Sequence, residues 1–269
     1  MPRFKSIRLA WDDFKSLAHG WYFRLALPKT LSSQMPADWL LACQFSTKIK
    51  WRDSLGPANN HRIHNMRLCC ELINGIILCP REIFSMRRIV GDATPERGFK
   101  SGPMLVNGKM TLSCGGGLCQ ISSVLFNIAL LAGLDILERH NHSVDLWGED
   151  RFIDLGRDAT YAYGLKDLKF RNPLPHPVML VMEVLNEQEV CARVLAPQLL
   201  NSRPRIETQV LRKITPRGVR GQNATVSKNI VGWDVYTKRI IDLAGDEIVT
   251  YEARDIYKPI SIDGNAGME

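Results

Sequence analysis

With 269 residues, 45% hydrophobic and 23% charged, the chain has the composition of an ordinary folded protein, long enough for one large domain or one domain with additions. That excludes a fibrous repeat and extended disorder. The net charge of +7, from 35 Lys and Arg against 28 Asp and Glu, favours anionic partners, but the basic residues are scattered and no nucleic-acid-binding motif is present, so nucleic acid is not expected.

Residues 1 to about 55 read as helical and rich in Trp. Charges interrupt every apolar run at the N-terminus, and no window approaches ~18 uninterrupted apolar residues, so neither a signal peptide nor a membrane span is expected. The expected location is cytoplasmic. Arg8, Trp11, Phe14, Lys15, Trp21 and Arg24 could also lay a helix on the inner, anionic membrane face, although packing against the protein's own core is the expected use of the aromatics. The stretch "PADWLLACQFSTKIKW" reads as a second amphipathic segment. "SLGPANNH" (54–61) is turn-rich and marks the boundary of an N-terminal helical extension, 1–60. A helix follows from about Asn65 to Asn74, stopped by Gly75. Residues 91–117, crowded with Gly and Pro, read as mostly loop with a hairpin at Asn107-Gly108.

From Cys119 the apolar positions 121, 124, 125, 128, 129, 131 and 132 describe a buried helix ended by Gly133. Beyond residue 145 the pattern turns to short β segments: "RFIDLGRDATYAYG", "LKFRN", "PVMLVMEVLN" and "EVCARVLA". A β-rich C-terminal extension, 201–269, carries "RIETQVLRKI", "WDVYTKRIID" and "DEIVTYEARDIY". The predicted class is therefore α+β: N-terminal helices, a buried helix starting at a Gly-Gly-Gly-x-Cys motif, then a β-rich body. Strand pairing is not assignable.

The chemistry concentrates around "SCGGGLCQISS". Cys119 sits in the first turn of the buried helix, where unpaired N–H groups and the macrodipole stabilise a thiolate. Gly115, Gly116 and Gly117 let backbone N–H groups converge on a hollow suited to an oxyanion. The helix rises ~20 Å from residue 119 to 132. A strand over "DILERHNHSV" would return ~23 Å from Gly133 to His140. His140 and His142, two apart, share a strand face, with Arg139 on the other. Either histidine could then act as base toward the thiol, as in papain-like sites. The seven cysteines include no C-x-x-C pair, which suits a reducing compartment, and no cofactor is expected. Cys114, Cys119, His140 and His142 allow a second reading as a Cys₂His₂ zinc set.

These residues, "GGGLCQISSVLFNIALLAGLDILERHNHSVD" followed by "GRDATYAYGLKDLKFRN", resemble the VanW family, and the likeness extends upstream through "NMRLCCELINGIILCPREIFSMRRIVGDATPERGF". Where that family usually has Pro-Gly-Glu-x-Phe-Ser, this chain has Arg81 in the glycine position. The resemblance covers about residues 65–185, within a central domain taken as 61–200. It implies an L,D-transpeptidase-like acyl transfer on peptidoglycan-related peptides through a cysteine thioester. By motif, Cys119 becomes the nucleophile, His142 or His140 the base, and Gly116, Gly117 and Gln120 neighbours of the oxyanion. Asp158 would orient the histidine, and Arg157 would hold a substrate carboxylate, with Arg139 and Gly115 also counted to the binding side. The competing expectation is a non-catalytic module that binds a peptide or anion in the same hollow.

Overall fold

The computed structural model describes residues 2–18, 38–106, 109–200, 204–216, 228–243 and 245–262. The elements in chain order begin with α1 (Pro2–Ala18), β1 (Leu40–Lys48), α2 (Ala58–Ile73), β2 (Ile76–Leu78), β3 (Ile83–Ser85) and α3 (Met86–Ile89). The hairpin β4 (Ser101–Val106) and β5 (Lys109–Cys114) leads into α4 (Leu118–Leu131). Next come β6 (Asp135–Glu138), β7 (Lys169–Arg171), β8 (Val178–Leu185) and β9 (Glu189–Ala196). The last elements are β10 (Arg205–Ile214), β11 (Lys228–Ile230), β12 (Gly232–Leu243), β13 (Asp246–Tyr257) and β14 (Ile260–Ile262). The fold is α+β with a β-rich body.

Three antiparallel sheets surround α4. The central one runs β1-β9-β8-β2, a smaller one β3-β7-β6, and the C-terminal one β10-β12-β13. α4 is buried along nearly its whole length, from Leu118 to Leu130, and packs with α2 and the central sheet into one apolar core. A helix this largely apolar is stable in such a buried place.

Some elements depart from expectation. The segment read as a second helix is β1, paired antiparallel with β9 from Leu40 opposite Ala196 to Lys48 opposite Glu189. Leu, Ala, Gln and Lys tolerate a helix locally, but the free edge of β9 offers a full hydrogen-bond ladder that local preference does not outweigh. α2 begins at Ala58, inside the stretch read as a boundary turn. The β-like segment 151–164 forms no strand. Residues 91–117, read as loop, contain the β4–β5 hairpin, whose expected tip at 107–108 lies outside the described residues, as do Trp21, Arg24 and the tail from 263. Arg81 holds φ at +69°, a left-handed conformation that explains the glycine usual at that position in the family it resembles.

α1 leaves Trp11 and Phe14 outside the core. Ile7, Trp11, Phe14 and Leu17 are all exposed, while ion pairs from Asp12 to Lys169 at 3.0 Å and from Asp12 and Asp13 to Arg87 attach the helix. Among the described residues no helix is long and apolar enough to cross a membrane.

Candidate functional site

The glycine turn works first by its size. Gly117, the N-cap of α4, has φ +102°, and a Cβ there would lie 2.8 Å from Arg62 Cγ. A Cβ on Gly116 would meet the Gly102 backbone at 2.5 Å from its carbonyl carbon. Asn65 of α2 clamps the turn from the other side, donating to Lys100 O at 2.9 Å and Gly116 O at 3.0 Å. The glycines therefore allow α2 and the β4–β5 hairpin to close on the start of α4. Gly116→Ala is expected to destabilise the protein by about 1–3 kcal/mol, because the opposing atoms are backbone and cannot swing aside; a thermal melt measures it.

Cys119 lies one residue into α4, half-buried, in the wall of a cleft of about 130 Å³. His142 also lines that cleft and acts on the charge of the thiol, whose Sγ lies 3.8 Å from Tyr161 O. Asp158 Oδ2 sits 2.6 Å from His142 Nδ1 and accepts the His142 backbone N–H at 2.7 Å, which leaves Nε2 for the sulfur. Burial pushes the Cys119 thiol up, but the hydrogen bond and charge of His142, with Lys166 further off, outweigh it and hold the thiol below its ordinary value. Burial likewise opposes the charge on His142, and Asp158 and the sulfur overcome it, raising the imidazole. Asp158, despite its own burial, is held well below the usual carboxylate range, chiefly by His142 and Arg139. The two directions favour charge separation between thiol and imidazole, with a carboxylate held on the imidazole Nδ1.

Behind Asp158 stands a buried polar support. Arg139 donates to Asp158 O at 2.6 Å and to Asp158 Oδ1 at 3.2 Å, and holds Asp255 of β13 through Nη1 at 2.6 and 2.5 Å. Tyr257 donates its hydroxyl to Asp158 Oδ1 and accepts Gly156 N–H at 2.7 Å. The loop that carries Asp158 is stitched to α4 by three buried polar residues: Ser122 and Ser123 donate to Ala159 O at 2.6 and 3.2 Å, and Asn127 to Arg157 O at 2.7 Å. These hydrogen bonds replace the strand expected over 151–164.

Several anticipated residues have other places. β6 ends at Glu138, so His140 and His142 do not share a strand face. His140 turns to Glu138, 2.9 Å away, with its side chain 38% exposed, whereas His142, 17% exposed, lines the cleft together with Cys119. Cys114 Sγ faces Phe99 O at 3.9 Å, so the four residues of the zinc reading are not brought together. Among the described residues the one cluster tight enough for a metal is Asp12, Glu138 and Asp167, and the Lys169 ammonium lies against all three. Gln120 does not point its amide N–H₂ at an oxyanion; it donates to Thr47 Oγ1 and Lys48 O, both at 3.0 Å, tying α4 to β1. Arg157 is not in the cleft but bonds Asn127 and covers the Phe45 ring at 5.7 Å. Arg139 is support rather than pocket lining.

Sequence reasoning missed Lys50, Arg52, Arg62, Arg151 and Tyr257, all of which line the cleft with Trp147, Phe152 and Met66. Nothing local marks Lys50 and Arg52, in the segment that follows β1, or Tyr257, the last residue of β13. Ser122, Ser123 and Asn127 did carry a signal: three polar residues in an otherwise apolar helix imply buried partners.

The family described as VanW like protein matches residues 61–195, half of the chain and the whole Cys119–His142–Asp158 arrangement. The chain belongs to the VanW family. Its match to the uncharacterized protein YoaR of Bacillus subtilis (strain 168) is 37% identical over 123 residues, 46% of this chain and 39% of that protein. The match to the vancomycin B-type resistance protein VanW of Enterococcus faecalis (strain ATCC 700802 / V583) is 33% identical over 144 residues, 52% of each chain. The alignments thus span about half or less of these relatives' own length. No solved structure matches the chain. Lys50, Arg52, Asp255 and Tyr257 lie outside the VanW segment, so elements beyond it complete the site.

Proposed function

We propose that this VanW protein is a cysteine-dependent acyltransferase acting on peptides through a Cys119 thioester. The observation that carries the reading is the line of Cys119, His142 and Asp158 in one open cleft, with the thiol lowered and the imidazole raised. The Cys119 thiolate attacks a peptide carbonyl. The C–N bond breaks as His142 gives its proton to the departing amine, which leaves a thioester. An incoming amine, or water, loses a proton to His142 as it attacks, and the thiolate is released. Vancomycin resistance in the name of the Enterococcus relative, with the family resemblance, supports peptidoglycan stem peptides as the substrate class.

Incubation with muropeptide tetrapeptides followed by intact-mass spectrometry tests this. A hydroxylamine-sensitive adduct is expected on Cys119 and absent from Cys119→Ala. An unmodified protein whose Cys119 alkylates no faster than free cysteine sinks the reading. A non-catalytic peptide-binding module is the second reading, favoured by the basic mouth of the cleft, where Lys50, Arg52 and Arg62 gather. It predicts saturable peptide binding that Cys119→Ala leaves intact, with no adduct.

A further inference from the structure

Positive charge at the cleft exceeds what the protein itself neutralises. Lys50 and Arg52 share one carboxylate, Asp150, at 3.4 and 2.6 Å, and the Arg52 guanidinium lies 3.5 Å over the Trp147 ring. Among the described residues Arg62 has no carboxylate partner. Its Nη2 donates to Lys50 O at 2.6 Å, and its buried Nε has no hydrogen-bond partner. Burial and the neighbouring Arg52 charge pull its pKa down to about 10. The other acids of the cleft are occupied: Asp145 accepts from Arg151 at 2.8 Å and from Trp233 Nε1 at 3.1 Å, Asp154 offsets the charge of Arg157, and Asp158 serves His142. A half-buried guanidinium without a counter-ion is costly unless a ligand supplies one.

Arg62 shares the cleft with the chemistry. Its stem lies on Gly117, two residues before Cys119, and Arg62 and Cys119 line the same cavity. Arginine presents a planar fork that matches a carboxylate.

We propose that Arg62, flanked by Lys50 and Arg52, forms a subsite for the free C-terminal carboxylate of the peptide, so that the carbonyl offered to Cys119 lies within one or two residues of the chain end. The inference rests on the acyl-transfer reading for the direction in which the peptide lies. The apolar wall of Met66, Val144, Leu146 and Phe152 then receives the side chains that precede the terminus.

The test compares a muropeptide tetrapeptide with its C-terminal amide, measuring equilibrium binding to the Cys119→Ala protein so that turnover plays no part. The free acid is expected to bind about 10- to 100-fold more tightly, the range for a charge-assisted hydrogen bond. Adding Arg62→Ala should abolish the difference, and Arg62→Lys should keep part of it. Equal binding of acid and amide to the protein with Arg62 intact overturns the subsite without any need for the Arg62 variants to fold. So does a preference that survives Arg62→Ala, or displacement of the peptide by inorganic phosphate but not by acetate, which would make the site one for phosphate. The two proposals fail separately. If Cys119 in the unaltered protein alkylates no faster than free cysteine while the acid is still preferred, acyl transfer falls and the carboxylate subsite stands as that of a binding module. If Cys119 is fast and acylated while acid and amide bind alike, the subsite falls and the enzyme stands.

Discussion

Replacing His142 by Gln is expected to raise the pH midpoint of Cys119 alkylation from below the ordinary thiol value of 9.0 to above it. The sign follows from the balance at the sulfur. Burial alone pushes the thiol up, and the hydrogen bond and charge of His142 reverse that effect; without the imidazolium, burial prevails. Alkylation by iodoacetamide at pH 7 should slow by about 10- to 100-fold, because each unit of pKa removes about a factor of ten in thiolate. Acyl transfer and alkylation should also differ in pH profile. Both fall as pH drops through the lowered Cys119 pKa. Only acyl transfer falls again as pH rises through the raised His142 pKa, because leaving-group protonation needs the imidazolium and alkylation does not. An alkylation midpoint unchanged by the substitution would mean that His142 does not govern the thiol.

The largest effect on stability is expected from Arg139→Ala. Arg139 and its two partners are almost wholly enclosed, with side chains 4% exposed for the arginine and 7% each for Asp158 and Asp255. Removing the guanidinium leaves buried Asp255 without its cation and Asp158 with His142 alone, a loss of about 3–5 kcal/mol and a Tm lowered by roughly 10 °C. Asp158 is depressed in the folded protein, so its contribution is present above its unfolded pKa and is lost as pH falls through the folded value. In the variant, burial drives Asp255, already raised, further upward so that it takes up a proton, while His142 still holds Asp158 down. The deficit against the unaltered protein should therefore be largest at neutral and alkaline pH and shrink under mild acid. Thermal melts across that range measure it, and a deficit independent of pH would locate the loss in packing rather than charge.

Much of the site was legible because its parts are local. The glycine turn, the helix start at Cys119 and the strand bounds of Arg205–Ile214 and Asp246–Tyr257 follow from neighbours a few residues apart. The distance argument that returns the chain from Gly133 toward the sulfur points to the correct region but chooses between His140 and His142 only by strand alternation, and the strand ends at Glu138. Past that point Thr160 N–H bonds His140 O at 2.7 Å and Asp158 captures the His142 N–H, so loop contacts aim the rings. The resemblance singled out Arg157 as the carboxylate clamp, but Arg157 bonds Asn127 and covers Phe45 and does not line the cleft.

By itself the sequence determined what short-range physics can encode: an α+β chain, a largely apolar helix that must be buried, a thiol at that helix's positive end, and a three-glycine turn before it. Tertiary structure alone decided which histidine meets the thiol, that Leu40–Lys48 is a strand, and that Arg139 and Tyr257 stand behind Asp158. Those outcomes depend on hydrogen bonds between residues as far apart as Gln120 and Thr47, Asp158 and Tyr257, or Arg139 and Asp255, separated by 73, 99 and 116 positions. A hydrogen bond or ion pair formed across such a separation requires nothing of the residues beside it in the chain, and so leaves no periodicity or turn signature to read.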